Sequence, residues 1–319
     1  MRKINNVILL FILLVLIVSF TLIIPQSSTN PANILENTRS KIAILQKDKQ
    51  AQDLKRILRS AARKDNTVII AMLNEAQNSI FDLFTESFKV GNGTSSLLNH
   101  MVVLALDLGA LEHCESLNLH CYFPNYANNF ESRENRETTM MKRQIEFSKE
   151  VLQLGYNFIY TDLDVVWFRN PLRHFKVLSQ LILATEFYRG EESLENSPNG
   201  AFMYVLSTTQ SIEFFRSWQF TAMRYVGGDR RTVLTRAVRE GAGPFRLNLQ
   251  FLDTDYFGDF CRRGVDLSKV VAVRAGWCCD GRAGDLGAAR ALAREWKNYA
   301  SLPVERKGSS FGIKYECRS

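Results

Sequence analysis

The chain predicts an α/β fold: a mostly parallel sheet flanked by helices, set behind an N-terminal transmembrane anchor and a stem. Three observations predict it. From residue 66 onward, short apolar runs suited to buried strands alternate with helical stretches, the pattern that yields a parallel sheet covered by helices. An uncharged apolar run, Val7 to Ile24 ("VILLFILLVLIVSFTLII"), precedes them and is long enough to cross a bilayer. The 319 residues leave, after the N-terminal segments, enough chain for one large domain with its own core.

The elements follow in order. Arg2 and Lys3 stand before the apolar run, and "SFTLIIPQSS" offers no small-residue cleavage site, so the run reads as an uncleaved anchor with its positive end in the cytosol. This divides the chain into a cytosolic tail (1–6), a signal anchor (7–24), a stem (25–65) and a lumenal domain (66–319). In the stem, "PQSSTNPAN" has linker composition and the charged stretch after it is a weakly amphipathic helix. "TVIIAML" (67–73), "MVVLALD" (101–107) and "LHCYF" (119–123) read as strands, with a helix from Ala76 to about Lys89 between the first two. Apolar residues at Met141, Ile145 and Leu152, and at Phe147, Val151 and Leu154, have helical spacing, and Gly155 stops that helix. "FIYTDLDVVWF", "LILATEF" and "AFMYVLS" read as further strands, followed by helices at 209–225 and 232–240. Strands near "FRLNLQF" and "VVAVRA" and a helix over 284–299 complete the pattern.

Composition narrows the function. The formal charge is +7, concentrated in the Arg-rich C-terminal third. Behind a membrane anchor this points either to an anionic small molecule or an acidic polysaccharide rather than to nucleic acid, or simply to a solvated basic face. Six cysteines (Cys114, Cys121, Cys261, Cys278, Cys279 and Cys317) suit an oxidising lumen without fixing a pairing, and no CxxC or Cys/His pattern suggests zinc. Asn92-Gly93-Thr94 is a sequon, so Asn92 is a candidate glycosylation site.

The chemistry centres on "GYNFIYTDLDVVWFRNP", where Asp162 and Asp164 interrupt an apolar run. On an extended strand residues two apart share a face, and two carboxylates that close raise each other's pKa unless a cation lies between them. Salt bridges to Arg169 or Arg143 would meet them structurally. A hard cation, Mn²⁺ or Mg²⁺, would meet them functionally and hold a substrate diphosphate. In open α/β sheets ligands sit beyond the C-terminal strand ends. Asn74 and Asp107 fall at such ends as well. A second D-x-D, Asp253-Thr254-Asp255, lacks the strand context and reads as structural.

These segments resemble a known family. The anchor, the stem and an α/β domain with D-x-D closing a central strand are similar to Golgi glycosyltransferases of the GT-A (Rossmann-like) type. Five stretches resemble the plant nucleotide-diphospho-sugar transferase family that includes the reduced-residual-arabinose arabinosyltransferases and the rhamnogalacturonan-II xylosyltransferases: "TVIIAMLNEAQ", "MMKRQIEFSKEVLQLGYNFIYTDLDVVWFRNP", "NGAFMYVLSTTQSIEFFRSW", "FLDTDYFGDFC" with "DLSKVV", and "CCDGRAGDLGAARALAREWKNY". The resemblance implies a single-pass type II Golgi enzyme. It would move a pentose or galactose from a UDP-sugar donor to a cell-wall polysaccharide or glycoprotein acceptor, with retained configuration. Asp162 and Asp164 would hold Mn²⁺ (or Mg²⁺) and the diphosphate; Asn74, Asp107, Arg143 and Arg274 would meet the nucleotide sugar; Asn199 and Gly200 would border the donor sugar. Two departures stand out. Where the family usually has a His before its paired cysteines, this chain has Arg274, and where an acid-Gln pair is expected it reads "GGDRRTVL", with Asp229 as the remnant acid. Arg cannot ligate a metal, but it binds a diphosphate oxygen directly. These departures motivate an alternative, a catalytically degenerate pseudo-transferase that binds glycan or nucleotide sugar. A metal-dependent phosphohydrolase is the third reading, disfavoured because no His follows His174.

Overall fold

The computed structural model describes residues 31–124, 136–260, 265–276, 286–303, 306–307 and 312–313. The Val7–Ile24 anchor, the loop from Tyr126, the paired cysteines at 278 and 279 and the start of the last helix lie outside them. Among the described residues no helix is long and apolar enough to cross a membrane.

The chain divides into two units, residues 1–49 and 50–319. Helix α1 (Pro31–Ala61) begins in the first and ends in the second. Its last turns belong to the larger unit, where Leu54, Leu58 and Ala61 are buried in the core. The folded domain thus takes in several turns of the segment that reads as stem, because its apolar residues at i, i+4 and i+7 form one stripe.

The main sheet has seven strands: β1 (Thr67–Leu73), β2 (Met101–Ala105), β3 (His120–Tyr122), β4 (Asn157–Thr161), β6 (Leu181–Thr185), β7 (Pro198–Val205) and β8 (Leu249–Leu252), in the order β3-β2-β1-β4-β7-β6-β8. The pairs β1–β2, β2–β3, β1–β4 and β6–β8 are parallel, while β7 runs antiparallel to both its neighbours. The sheet is therefore mixed rather than simply parallel. Its strands read as unbroken apolar runs because helices cover both faces. One face packs α1, α4 (Arg136–Gln153), α5 (Thr209–Arg224) and α6 (Arg230–Gly241); the other packs α2 (Asn78–Val90) and α3 (Leu108–Ser116). A disulfide joins Cys114 of α3 to Cys121 of β3.

Strand order creates a switch point. From β1 the chain moves to β2 and β3 on one side, then returns to place β4 on the other. A crevice opens at the C-terminal ends of two parallel strands where the order reverses. Here those strands are β1 and β4, with Ile70 opposite Tyr160. Asn74 directly follows β1 and Asp162 directly follows β4, so both lie at that edge.

The segment expected to be one strand is two. After β4 the chain makes a turn in which the Val165 amide donates to the Asp162 carbonyl (3.2 Å). It then enters β5 (Val165–Trp167), which belongs to a separate sheet with β11 (Ala272–Arg274) and β9 (Phe257–Asp259). Asp162 and Asp164 are thus the first and third residues of a β-turn, not same-face neighbours on a strand. The second sheet packs against α7 (Leu286–Ser301), with Phe168, Val273 and Trp296 in a core of their own. A short β10 (Val265–Asp266) pairs with β12 (Gly312–Ile313).

Candidate functional site: an acidic turn closed by two arginines

The Asp162–Asp164 turn is where three parts of the fold meet. From the main sheet, β7 runs beside β4, with Thr161 opposite Phe202, and the Asp162 amide donates to the Ala201 carbonyl (2.8 Å). This brings Asn199 and Gly200 against the turn. From the second sheet, β11 pairs with β5 so that Arg274 is opposite Val165, and the Ala275 amide donates to the Asp164 carbonyl (2.7 Å). From the helical face, α6 begins at the same edge. Its N-cap is Asp229, which accepts from the Thr232 amide (2.9 Å) and the Thr232 hydroxyl (2.7 Å).

Each carboxylate meets a guanidinium. Arg230 holds Asp162 in a two-point pair, Nη1 donating to Oδ1 (2.9 Å) and Nη2 bonded to Oδ2. Arg274 Nε donates to Asp164 Oδ2 (3.2 Å). Side-chain exposure is 17% for both Arg230 and Asp162, 12% for Arg274 and 8% for Asp164, so these are interior pairs. The Tyr160 hydroxyl donates to Asp162 Oδ1 (2.8 Å). Gln144, on α4, accepts from Arg230 Nη1 (3.2 Å) and donates to the Gly200 carbonyl (3.2 Å), tying helix, strand and arginine together.

Two glycines make room. A Cβ on Gly276 would come within 2.0 Å of Asp164 Oδ2. Gly200 has φ of +70°, and a Cβ there would lie 3.4–3.5 Å from the Arg230 side-chain stem. A left-handed backbone touching a buried side chain calls for glycine.

The electrostatics follow from these contacts. Burial pushes the Asp162 carboxyl up, but Arg230, Arg274 and the Tyr160 hydroxyl outweigh it and hold it below its usual range. For Asp164 burial wins over Arg274, and with Asp162 nearby its carboxyl lies above the usual range. Burial opposes the charge on Arg230 and Arg274, but the carboxylates beside them raise both above the ordinary guanidinium value. Burial, then the Asp162 charge, raises the Tyr160 hydroxyl well above its ordinary value.

The other residues expected at the site divide. Asn74 is buried at the β1 end, and its Oδ1 has no hydrogen-bond partner among the described residues. Asn199 Oδ1 accepts from the Ala201 amide (2.9 Å), shaping the first residues of β7 around Gly200. Arg143 lies against Glu146 (3.4 Å). Asp107 braces the edge: it caps α3 through the Ala110 amide (2.8 Å) and accepts from the Glu75 amide (3.0 Å). Asp229 is engaged as a cap, and its carboxyl is lowered, the Thr232 bonds and the Arg231 charge outweighing burial. Asn92 is exposed, while the hydroxyl of its sequon partner Thr94 is buried on the Phe88 carbonyl (2.7 Å). Arg169 donates to the Leu267 carbonyl (2.8 Å) and covers the Trp296 ring, so it is not the counter-ion of the acidic turn.

Arg230, Gln144 and Tyr160 did not stand out in the sequence. A signal for Arg230 existed. Residues 230 and 231 put two cations in the first turn of α6, which carries no acid there. Cations at a helix N-terminus oppose the macrodipole by about 0.3–1 kcal/mol each, so something else must hold them. Arg231 pairs with Glu186 (2.6 Å) and Arg230 with Asp162.

The arrangement bears on the expected Mn²⁺ or Mg²⁺. Two carboxylates and two guanidiniums already sum to zero. A divalent cation placed among them finds no net charge to draw it in: at about 4 Å and an effective dielectric of about 20, each guanidinium repels a unit charge by about 4 kcal/mol, which offsets the pull of one carboxylate. Asp164 Oδ1 is buried without a hydrogen-bond partner among the described residues, but Mg²⁺ demands near-octahedral oxygen coordination. Among the described residues no three His, Cys, Asp or Glu side chains come together. As arranged, these residues do not fit a divalent cation.

The fold and the edge define an α/β protein with a mixed sheet between helices and an acidic turn at its switch point. Residues 96–284, more than half the chain, match the family model described as nucleotide-diphospho-sugar transferase. The chain belongs to that family. It is 36% identical over 272 residues to the uncharacterized Arabidopsis thaliana protein At4g15970, spanning 81% of this chain and 71% of that one. A second A. thaliana protein, At1g28695, also uncharacterized, is 32% identical over 266 residues, spanning 78% and 79%. Among solved structures, the galactosyltransferase LgtC with donor and acceptor sugar analogues is 12% identical, with a TM-score of 0.43 over 74% of this chain and 98% of that one.

Proposed function

We propose that this chain transfers a sugar, a pentose or galactose, from a UDP-sugar to a polysaccharide or glycoprotein acceptor, as a single-pass type II protein of the Golgi membrane with its α/β domain in the lumen. The observation that carries the reading is the switch-point edge. There a buried amide oxygen without a partner among the described residues (Asn74) and a ring of charged groups around Asp162 and Asp164 lie at the ends of β1 and β4. Family membership supplies the substrate class.

In this reading an acceptor hydroxyl oxygen bonds to the anomeric carbon as the bond from that carbon to the diphosphate oxygen breaks. UDP departs with the electron pair, and the hydroxyl proton ends on the diphosphate or in solvent. The chain's own residues bind and orient. Asn74 meets the nucleoside, Arg230 and Arg274 set positive charge where the diphosphate lies, and the Asn199-Gly200 backbone borders the sugar. A groove of about 430 Å³ along α6, lined by Arg231, Thr235, Arg236 and Arg239 among others, offers cationic and hydroxyl groups to an acidic acceptor.

The test is transfer from a panel of UDP-sugars to cell-wall oligosaccharides by the full chain, with free UDP and glycosylated product measured together. Product formed in step with UDP is the expected result. UDP binding without any product would favour the second reading, a nucleotide-sugar-binding pseudo-transferase, which the arginines closing the acidic turn also support. Absence of UDP binding would remove both.

A further inference from the structure

We infer that Arg230 and Arg274 stand in place of a divalent cation at the Asp162–Asp164 turn, so that the site binds an anionic diphosphate without a metal ion. The ligand class rests on the nucleotide-sugar reading above; the closure against cations rests on geometry alone.

Four observations carry it. The charge matches: two guanidiniums bring the same two positive charges to the carboxylates that a divalent cation would. The arginines are fixed. Arg230 is the first residue of a helix capped by Asp229, and Arg274 ends a strand held in register with Val165 on one side and Asp259 on the other. The surroundings are shaped for them, since Gly200 admits the Arg230 stem, Gln144 accepts from its Nη1, and Gly276 leaves space for the Asp164 oxygen that Arg274 bonds. Finally, the two arginines arrive from different parts of the chain, 68 and 110 residues from their carboxylates, so a single local accident does not place both.

Arginine suits this part chemically. Its guanidinium keeps its charge at any physiological pH, and its planar fork of N–H donors matches phosphate oxygens as well as carboxylates. A lumenal site built in this way would not depend on the cation supply of its compartment.

The experiment uses the full chain in mild detergent and compares it with Arg230→Gln/Arg274→His, which removes both charges and restores one neutral ligand. Free Mn²⁺ is followed by electron paramagnetic resonance without nucleotide, melting is followed with and without Mn²⁺, and UDP affinity is titrated in EDTA and in Mn²⁺. The native chain is expected to leave Mn²⁺ free, to melt at the same temperature in both media, and to hold UDP with affinities that differ by less than about threefold. The double variant is expected to take up about one Mn²⁺, as a carboxylate pair with a histidine would, and to melt higher when Mn²⁺ is present. Should that variant not fold, Arg274→His alone keeps the Arg230 bridge and opens the Asp164 side.

Uptake of Mn²⁺ by the native chain that Asp162→Asn/Asp164→Asn abolishes would overturn the inference. So would a gain in UDP affinity of about tenfold or more on adding Mn²⁺ to the native chain. If the native chain excludes Mn²⁺ and the variant admits it while neither binds UDP, the closure stands and the nucleotide-sugar reading falls.

Discussion

The chain writes D-x-D twice, and the two copies have little in common once folded. Asp162 and Asp164 form an interior turn between two sheets, each carboxylate on an arginine from a distant element. Asp253 and Asp255 form a turn nearer the surface, after β8. There Asp253 Oδ1 accepts from the Asp255 amide (2.9 Å) and its carbonyl accepts from Tyr256 and Phe257. One pair is a charge centre, the other a piece of turn chemistry that any Asx residue performs. Three letters of sequence specify neither; what meets the carboxylates does.

The strongest way to break this contrast is Arg230→Ala. It strips an interior carboxylate of its counter-charge, a class of change that costs about 3–5 kcal/mol. Urea unfolding is expected to show that loss as a lower midpoint at unchanged slope, and Asp162→Asn in the same background is expected to recover much of it. A loss below about 1 kcal/mol, the scale of a surface pair, would place Asp162 and Arg230 in water and erase the distinction.

Acid titration gives a smaller effect with a definite sign. Asp162 has a folded value below its unfolded one, so it contributes stability that is present above the ordinary carboxylate range and lost as pH falls through the folded value. Asp164, raised mainly by burial, works the other way: its contribution weakens as pH rises through its folded value. Unfolding midpoints of the native chain and Asp162→Asn, measured from neutral pH down to about pH 3, should differ most at neutral pH and converge below about pH 4. A gap that stays constant across that range would mean the arginine pair does not depress Asp162.

The smallest change belongs to the other copy. Asparagine at 253 keeps an oxygen for the Asp255 amide, so Asp253→Asn is expected to move stability by no more than about 0.5 kcal/mol. It should leave nucleotide binding unaltered. Loss of UDP binding in that variant would make the second D-x-D part of the site.

Much of the fold was legible because it is local. The strands at 67–73 and 181–185, and β7 from Ala201 onward, are apolar runs that helices cover on both faces, and their sequence says so without reference to anything distant. Helix α4 announces itself by the spacing of Met141, Ile145 and Leu152 and stops at Gly155, whose φ of +85° suits glycine. The edge of the sheet was legible in part, since Asn74, Asp107 and the Asp162/Asp164 pair were expected at C-terminal strand ends, while the pairing of β1 with β4 came from the structure. Other features were not. "YTDLDVVWF" carries no Gly or Pro to mark a turn, yet the chain leaves one sheet and joins another within it. The stem's last turns read as a weakly amphipathic helix outside the domain, yet Leu54 and Leu58 lie in its core.

The sequence by itself determined most of the main sheet's strands, the longer helices and the family resemblance, and it set the two carboxylates near a strand end, because these are written in local patterns of residues. Only the tertiary structure decided what the carboxylates face. Their partners come from a helix start 68 residues on and a strand end 110 residues on. A charge acts through space on whatever the fold brings within a few ångströms, and separation along the chain does not record that distance.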